Sequence, residues 1–291
     1  MLDDVLVRLR ELGLLKDENA AHCNVFVRLD NVLVNVFDDD GRYYYLRMAE
    51  AYDMQREYDV ARSVAEVVGR FVPQPLAFFR IGKLSCMVAE GVDFEIVTGA
   101  ALLDATSSTP AVRELLAFVE YAAGALAAPG SRAHVDDLAE ILTARYLGTE
   151  QEPLCARVLE SSNLAALREL PSQRQHGDFV PNNFGMRGDR LLIFDWEDFG
   201  KVDVPGFDLA VLLGSLVDFH PGRLRALRDA KLARAPDAQA EWLDEACRLS
   251  RIDTCLFLRS LPFYLSLFMW LKDRYSPAIR LKVNRAVVAL L

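Results

Sequence analysis

Cysteine organises nothing in this chain. The five cysteines, Cys23, Cys86, Cys155, Cys247 and Cys255, are scattered, odd in number and free of any Cys-x-x-Cys pair. That excludes a disulfide-framed secreted domain and a thiolate metal centre. It leaves small buried hydrophobes in a reducing compartment, so a cytoplasmic location is expected. Histidine is scarce too, with four residues in no cluster. No Gly-x-Ser-x-Gly elbow occurs and no histidine has an obvious nucleophile beside it, which argues against acyl or glycosyl hydrolysis. Basic residues are outnumbered, 33 against 42 acidic, for a net charge of −9. A nucleic-acid binder would show the opposite balance. The acidity weakly favours a cationic or neutral substrate, although ordinary solubility is the better account of it.

Membrane signals are missing as well. Met1-Leu2-Asp3-Asp4 is neither basic nor followed by an apolar stretch, so no signal peptide is expected. The most apolar stretch, Leu256 to Leu271, is interrupted by Arg259 and Pro262 and ended by Lys272, Asp273 and Arg274. It reads as a core helix rather than a span. There are no internal repeats or low-complexity tracts. What the chain does have is 291 residues of which 52% are apolar, enough for one large domain or two lobes.

Its chemistry is concentrated in His176-Gly177-Asp178-Phe179-Val180-Pro181-Asn182-Asn183, followed by Ile193-Phe194-Asp195-Trp196-Glu197. Phosphoryl transfer demands a positioned nucleophile and neutralised charge on the moving group. Asp178 is suited to accept or orient the proton of an attacking alcohol. Asn183 and Asp195 offer one neutral and one charged oxygen to a magnesium ion, which takes few ligands from protein and the rest from phosphate and water. Between them, 183–186 and 191–194 read as strands around the turn Arg187-Gly188-Asp189-Arg190, a hairpin that would set Asn183 beside Asp195. His176 is placed to brace the loop.

The pattern His-Gly-Asp, Asn five residues after that Asp, then an apolar run ending in Asp-Trp-Glu, resembles the aminoglycoside phosphotransferase and choline kinase-like family. Pro205-Gly206-Phe207-Asp208-Leu209-Ala210 is similar to the family's next segment, in which the Asp opens a helix and steadies the site. The resemblance implies an α+β, protein kinase-like fold with two lobes: residues 1–90 binding nucleotide, and residues 91–291 forming a helical lobe for catalysis and acceptor binding. It implies ATP and Mg2+ as cofactors, with GTP fitting the same residues. The partner it implies is a small molecule carrying a hydroxyl, with an amino sugar or amino alcohol as the family expectation. Neither nucleic acid nor membrane is expected to take part, and a monomer is the default.

Pattern along the chain agrees with that layout. Helical spacing covers Asp4 to Leu15 and Met54 to Val68. Strand composition marks Val25 to Leu29, Val32 to Phe37, Tyr43 to Met48, Leu76 to Arg80 and Leu84 to Ala89. Helices are expected over Pro110–Ala128, His134–Tyr146, Pro153–Leu170, Phe207–Val217, Ala238–Leu249 and Thr254–Leu271. In the kinase layout Ala89, Glu90 and Gly91 form the hinge whose backbone meets the adenine.

Two departures stand out. Arg47 occupies the third-strand position where kinases carry a phosphate-gripping lysine, with Glu57 placed as its helix partner and Lys83 as the alternative cation. The loop Arg28-Leu29-Asp30-Asn31 has no glycine to let backbone amides approach phosphate. These departures favour a rival reading, a pseudokinase that binds nucleotide without turnover. The intact set Asp178, Asn183 and Asp195 opposes it. Acidic helix residues such as Asp136, Asp137, Glu140, Glu241, Asp244 and Glu245 could attract a cationic acceptor, but a solvated face explains them more simply.

Overall fold

The computed structural model describes residues 2–27, 31–50, 53–104, 106, 108–235, 239–272 and 277–291. Most of the glycine-free loop, Arg28 to Asp30, lies outside the described residues, as do Ala238, Asp273 and Arg274. The fold is α+β, and the chain divides into two compact units. One comprises Met1–Glu95 with Leu192–Glu197, the other Ile96–Leu191 with Asp198–Leu291.

In the first unit the helix α1 (Leu2–Glu11) precedes strands β1 (His22–Val27), β2 (Val32–Phe37) and β3 (Tyr43–Ala49); α2 (Met54–Val68) follows, then β4 (Pro75–Ile81) and β5 (Leu84–Glu90). The sheet runs in the order β1-β2-β3-β5-β4, antiparallel throughout. Side chains alternate across a strand, so each strand feeds both faces. Val34, Val36, Tyr44, Leu46, Met48 and Val88 line one face, where Val5 and Leu9 of α1 join them in a dry core. Arg47 falls between Leu46 and Met48 and therefore points to the other face, the side that α2 covers. Asp53 starts α2 by accepting the Arg56 N–H at 3.1 Å.

The second unit is mainly helical, and two expected helices prove to be broken. Pro153–Leu170 divides into Glu152–Ser161 and Leu164–Arg168. Ser162 caps the end of the first, and Asn163 caps the second by accepting the Ala166 N–H at 3.2 Å, a local bond that competes with continued helix. Thr254–Leu271 divides at Ser260 into Thr254–Arg259 and Leu261–Leu271. Pro262 sits in the first turn of the second piece, where its missing N–H costs nothing. The expected helix Pro110–Ala128 stops at Ala125, and Ala127–Arg132 instead pairs antiparallel with Pro171–Gln173. Two helices not anticipated, Pro221–Leu232 and Pro277–Leu290, pack on each other. Leu261–Leu271 is buried on nearly every side. No helix among the described residues is long and apolar enough to cross a membrane.

Candidate active site

The loop His176–Asn183 lies in the second unit, and backbone geometry accounts for its residue types. Gly177 has φ +93, and a Cβ there would stand 2.6 Å from the Cβ of Asp198 and 2.8 Å from its carbonyl oxygen. Both the left-handed conformation and the crowding require glycine. His176 is fully buried. Its ring Nδ1 accepts the Asp178 N–H at 3.1 Å, which turns the loop. The side-chain amide of Asn183 donates to the Asp178 carbonyl at 2.8 Å. Its nitrogen is thereby committed, which leaves its oxygen as the donor atom for a cation.

Asp208 anchors this loop from below. Gly206, in a left-handed conformation, opens the helix Phe207–Leu216 and sets Asp208 in its first turn, where an anion is favoured. One carboxylate oxygen accepts the His176 N–H at 2.7 Å and the other the Gly177 N–H at 3.0 Å. Part of the residue's surface stays accessible, yet the carboxyl group is packed all round. Burial pushes its pKa up to about 7, the two backbone donors oppose that shift, and the nearby Asp178 charge adds to it.

A residue that motif reading missed stands beside the expected base. Lys272, 6% exposed, closes the helix Leu261–Leu271. Its ammonium lies 3.0 Å from Oδ2 of Asp178 and 2.8 Å from Oδ2 of Asp198. Asp198 is fully buried, and its Oδ1 also receives Lys201 at 2.5 Å. Burial works against the charged form of Asp198, but Lys272 and Lys201 outweigh it and hold its pKa low. Burial likewise opposes charge on Lys272, and the two carboxylates overcome it and raise its pKa. The sequence offered one faint signal: a lysine ending an almost wholly apolar helix.

The remaining candidates lie in the first unit. Arg47 Nη1 meets both oxygens of Glu57, at 2.9 and 3.0 Å. Burial raises the Glu57 pKa, Arg47 opposes the rise, and the charges of Asp195 and Glu197 add to it. Asp195 adopts a left-handed backbone, φ 61, and is exposed. The indole N–H of Trp196 donates to the Ile193 carbonyl at 3.0 Å, which fixes this turn. Phe184–Arg187 and Arg190–Ile193 form the expected hairpin. Lys83, expected on a strand, is exposed in the turn between β4 and β5. The hinge residues Ala89 and Glu90 end β5, paired with Tyr45 and Tyr44. The N–H of Glu90 is given to the Gln74 carbonyl and that of Gly91 to the Tyr43 carbonyl, both at 2.8 Å. Neither donor is therefore held ready for a base.

Three of the acidic residues considered for a cationic acceptor, Asp136, Asp244 and Glu245, pair with basic side chains, and Glu241 precedes its expected helix, which begins at Leu243. Arg168 pairs with Asp136 at 2.6 Å. Glu241 and Asp244 join Asp253, Lys231, Arg234 and Cys255 around a cavity of about 500 Å3. Lys231 faces Asp244 across it at 3.6 Å. No group of three or more His, Cys, Asp or Glu side chains suited to a metal occurs among the described residues. The expected ligand pair of one amide and one carboxylate suits magnesium's preference for few protein oxygens.

Comparison with known proteins gives the family and the fold. Residues 29–245 match the model of the phosphotransferase enzyme family. No curated protein sequence matches. Among solved structures, the macrolide 2'-phosphotransferase MphH from Brachybacterium faecium is 17% identical, with 98% of this chain and 97% of that one covered and a TM-score of 0.58. The ethanolamine kinase Pv091845 of Plasmodium vivax is 13% identical, covering 95% of this chain and 83% of its own, with a TM-score of 0.56. A thermostable D198A mutant of the aminoglycoside phosphotransferase APH(4)-Ia, solved with ADP and hygromycin B, is 15% identical over 97% of each chain, with a TM-score of 0.55. At such identities the structures establish a shared kinase-like fold.

Proposed function

Because the chain belongs to the phosphotransferase enzyme family, we propose that it is an ATP-dependent O-phosphotransferase acting on a small molecule with a free hydroxyl. The observation that carries the reading is Asp178. Its backbone is fixed by His176 and Asn183, and one oxygen of its carboxylate is already engaged by a buried ammonium. The other oxygen is left for the acceptor hydroxyl, whose proton Asp178 takes as the hydroxyl oxygen bonds to the γ-phosphorus. The bond from that phosphorus to the β–γ bridging oxygen breaks, and ADP departs with the electron pair. Asn183 and Asp195 would hold Mg2+, which when bound supplies charge neutralisation for the phosphates. Arg47, oriented by Glu57, grips phosphate oxygens as a planar fork where a kinase lysine acts as a point charge. In this reading residues 1–90 serve the nucleotide and residues 91–291 the chemistry and the acceptor. An amino sugar or amino alcohol is the acceptor class suggested by the relatives' substrates.

One observation favours a second reading, a nucleotide-binding module without turnover: the cation that meets Glu57 is Arg47 rather than the lysine of kinases. The Glu90 and Gly91 N–H groups are spent within the sheet, so Ala89, Glu90 and Gly91 would meet an adenine through carbonyl oxygens and backbone further on. A screen of amino sugars, choline-like alcohols, nucleosides and sugars with labelled ATP and Mg2+ separates the two. Transfer of label to any of them supports the enzyme. Tight Mg2+-dependent nucleotide binding with no ADP formed supports the module. Asp195→Ala should abolish the magnesium dependence of binding, and unchanged binding would remove the metal assignment.

A further inference from the structure

Lys272 is remote from every motif in the chain, yet its ammonium touches the carboxylate on which the chemistry is expected. It is held there by construction. The helix Leu261–Leu271 is almost wholly buried and ends at Lys272, whose N–H returns to the Phe268 and Trp270 carbonyls. A cation at a helix C-terminus is favoured by the unpaired carbonyls there. Its aliphatic stem runs inside the protein, with Nζ 5.9 Å from the centre of the Phe268 ring. Asp198, tied to Lys201 at 2.5 Å, holds the ammonium from a second side. Removing a buried charge of this kind leaves its partners uncompensated, so such a residue persists only where it is well satisfied.

We infer that Lys272 is a positioning residue for phosphoryl transfer: it holds Oδ2 of Asp178 and so fixes the direction in which Oδ1 meets the acceptor hydroxyl. Asp198 and Lys201 form the rigid base of that arm. The inference rests on the phosphotransferase reading above. Lys272 exchanges no proton and touches no substrate; its effect passes through Asp178. Loss of the ammonium should therefore impair turnover far more than nucleotide binding, since a small misplacement of a reacting group costs about a hundredfold in rate.

The test is ADP formation from Mg-ATP, with an acceptor found by the screen and with water where none is found. Lys272→Met should lower kcat about a hundredfold, with the nucleotide KM within about threefold of wild type. Lys272→Ala should regain at least about tenfold on addition of n-propylammonium, which replaces the deleted atoms, and should regain nothing when combined with Asp178→Asn. The double variant Asp178→Asn, Lys272→Met should be no slower than Asp178→Asn alone, because both remove one device. If Lys272→Met does not fold, Lys272→Gln keeps the length without the charge. A Lys272→Met rate within about threefold of wild type, or losses that multiply in the double variant, would overturn the inference while leaving the phosphotransferase reading intact. Absence of ADP formation by wild type with every acceptor would sink that reading and this inference with it.

Discussion

Two charged arrangements carry the proposed chemistry, and they are built differently. In the first unit Arg47 and Glu57 form a single pair, ten positions apart, with side chains 20% and 15% exposed. In the second, Asp178, Asp198, Lys201 and Lys272 form a chain of contacts spanning 94 positions (272 − 178), with Asp198 fully buried. The first pair is partly buried, as are the outer members of the second arrangement, Asp178 and Lys201, at 19% and 27% exposed. At the centre of the second, Asp198 and Lys272 are nearly sealed, at 0% and 7%, so breaking the link between them strands charge in a medium that solvates it poorly and leaves that centre less freedom to rearrange. The contrast suggests a division of labour: an adjustable grip for nucleotide, and a fixed frame for the base.

Substitutions in the two arrangements should therefore have different signatures. The largest effect is expected from Asp178→Ala, which should reduce transfer about a hundredfold or more while nucleotide affinity, read by calorimetry, stays near wild type. Equal loss of binding would erase the division. Next comes Asp208→Ala, which strands the His176 and Gly177 N–H groups. Urea unfolding should show a loss of about 2–4 kcal/mol.

Asp208 also predicts a pH dependence. Its carboxyl is raised from 3.8 to about 7 in the folded chain, so between those values the folded state holds the extra proton. Stability should be highest at the acid end of that window and fall as pH rises toward 7, by up to about 1.4 kcal/mol per unit. Asp208→Asn should flatten the slope. If wild type minus Asp208→Asn gave a slope of opposite sign, the two backbone donors, not burial, would dominate.

Arg47→Met should weaken nucleotide binding about tenfold with a smaller change in kcat, and Arg47→Lys should recover part of the loss. A purely catalytic defect at Arg47 would contradict the adjustable grip. The smallest effect, about 1 kcal/mol, is expected of Asn163→Ala, which removes the cap between two helices away from either arrangement and leaves turnover unchanged.

What could be read in the sequence follows the same divide. The strands of the first unit, the position of α2 and the pairing of Arg47 with Glu57 are local, because alternation and short separation determine which side chains share a face. The His-Gly-Asp loop and Asp208 were legible because backbone geometry dictates residue type: a left-handed glycine pressed on Asp198, and a carboxylate that takes two N–H groups. Lys272 was not legible, since no period or motif links a lysine at the end of an apolar helix to an aspartate so far upstream. The divided helices escaped for a different reason. Ser162-Asn163 and Ser260-Leu261-Pro262 preserve apolar spacing across the break, so periodicity runs through while capping bonds and proline end the backbone ladder. Pro221–Leu232 carries a low proportion of apolar residues, so periodicity gave no warning of it, although His220 and Pro221 form a recognisable start.

The account turns on Asp178 acting as the base of an enzyme that consumes ATP. Its most direct test is Mg2+-dependent ADP formation by wild type and Asp178→Ala, measured side by side at matched nucleotide occupancy. Steady ADP formation by wild type, about a hundredfold or more slower in the variant, is the predicted result. Equal rates in the two proteins would contradict it.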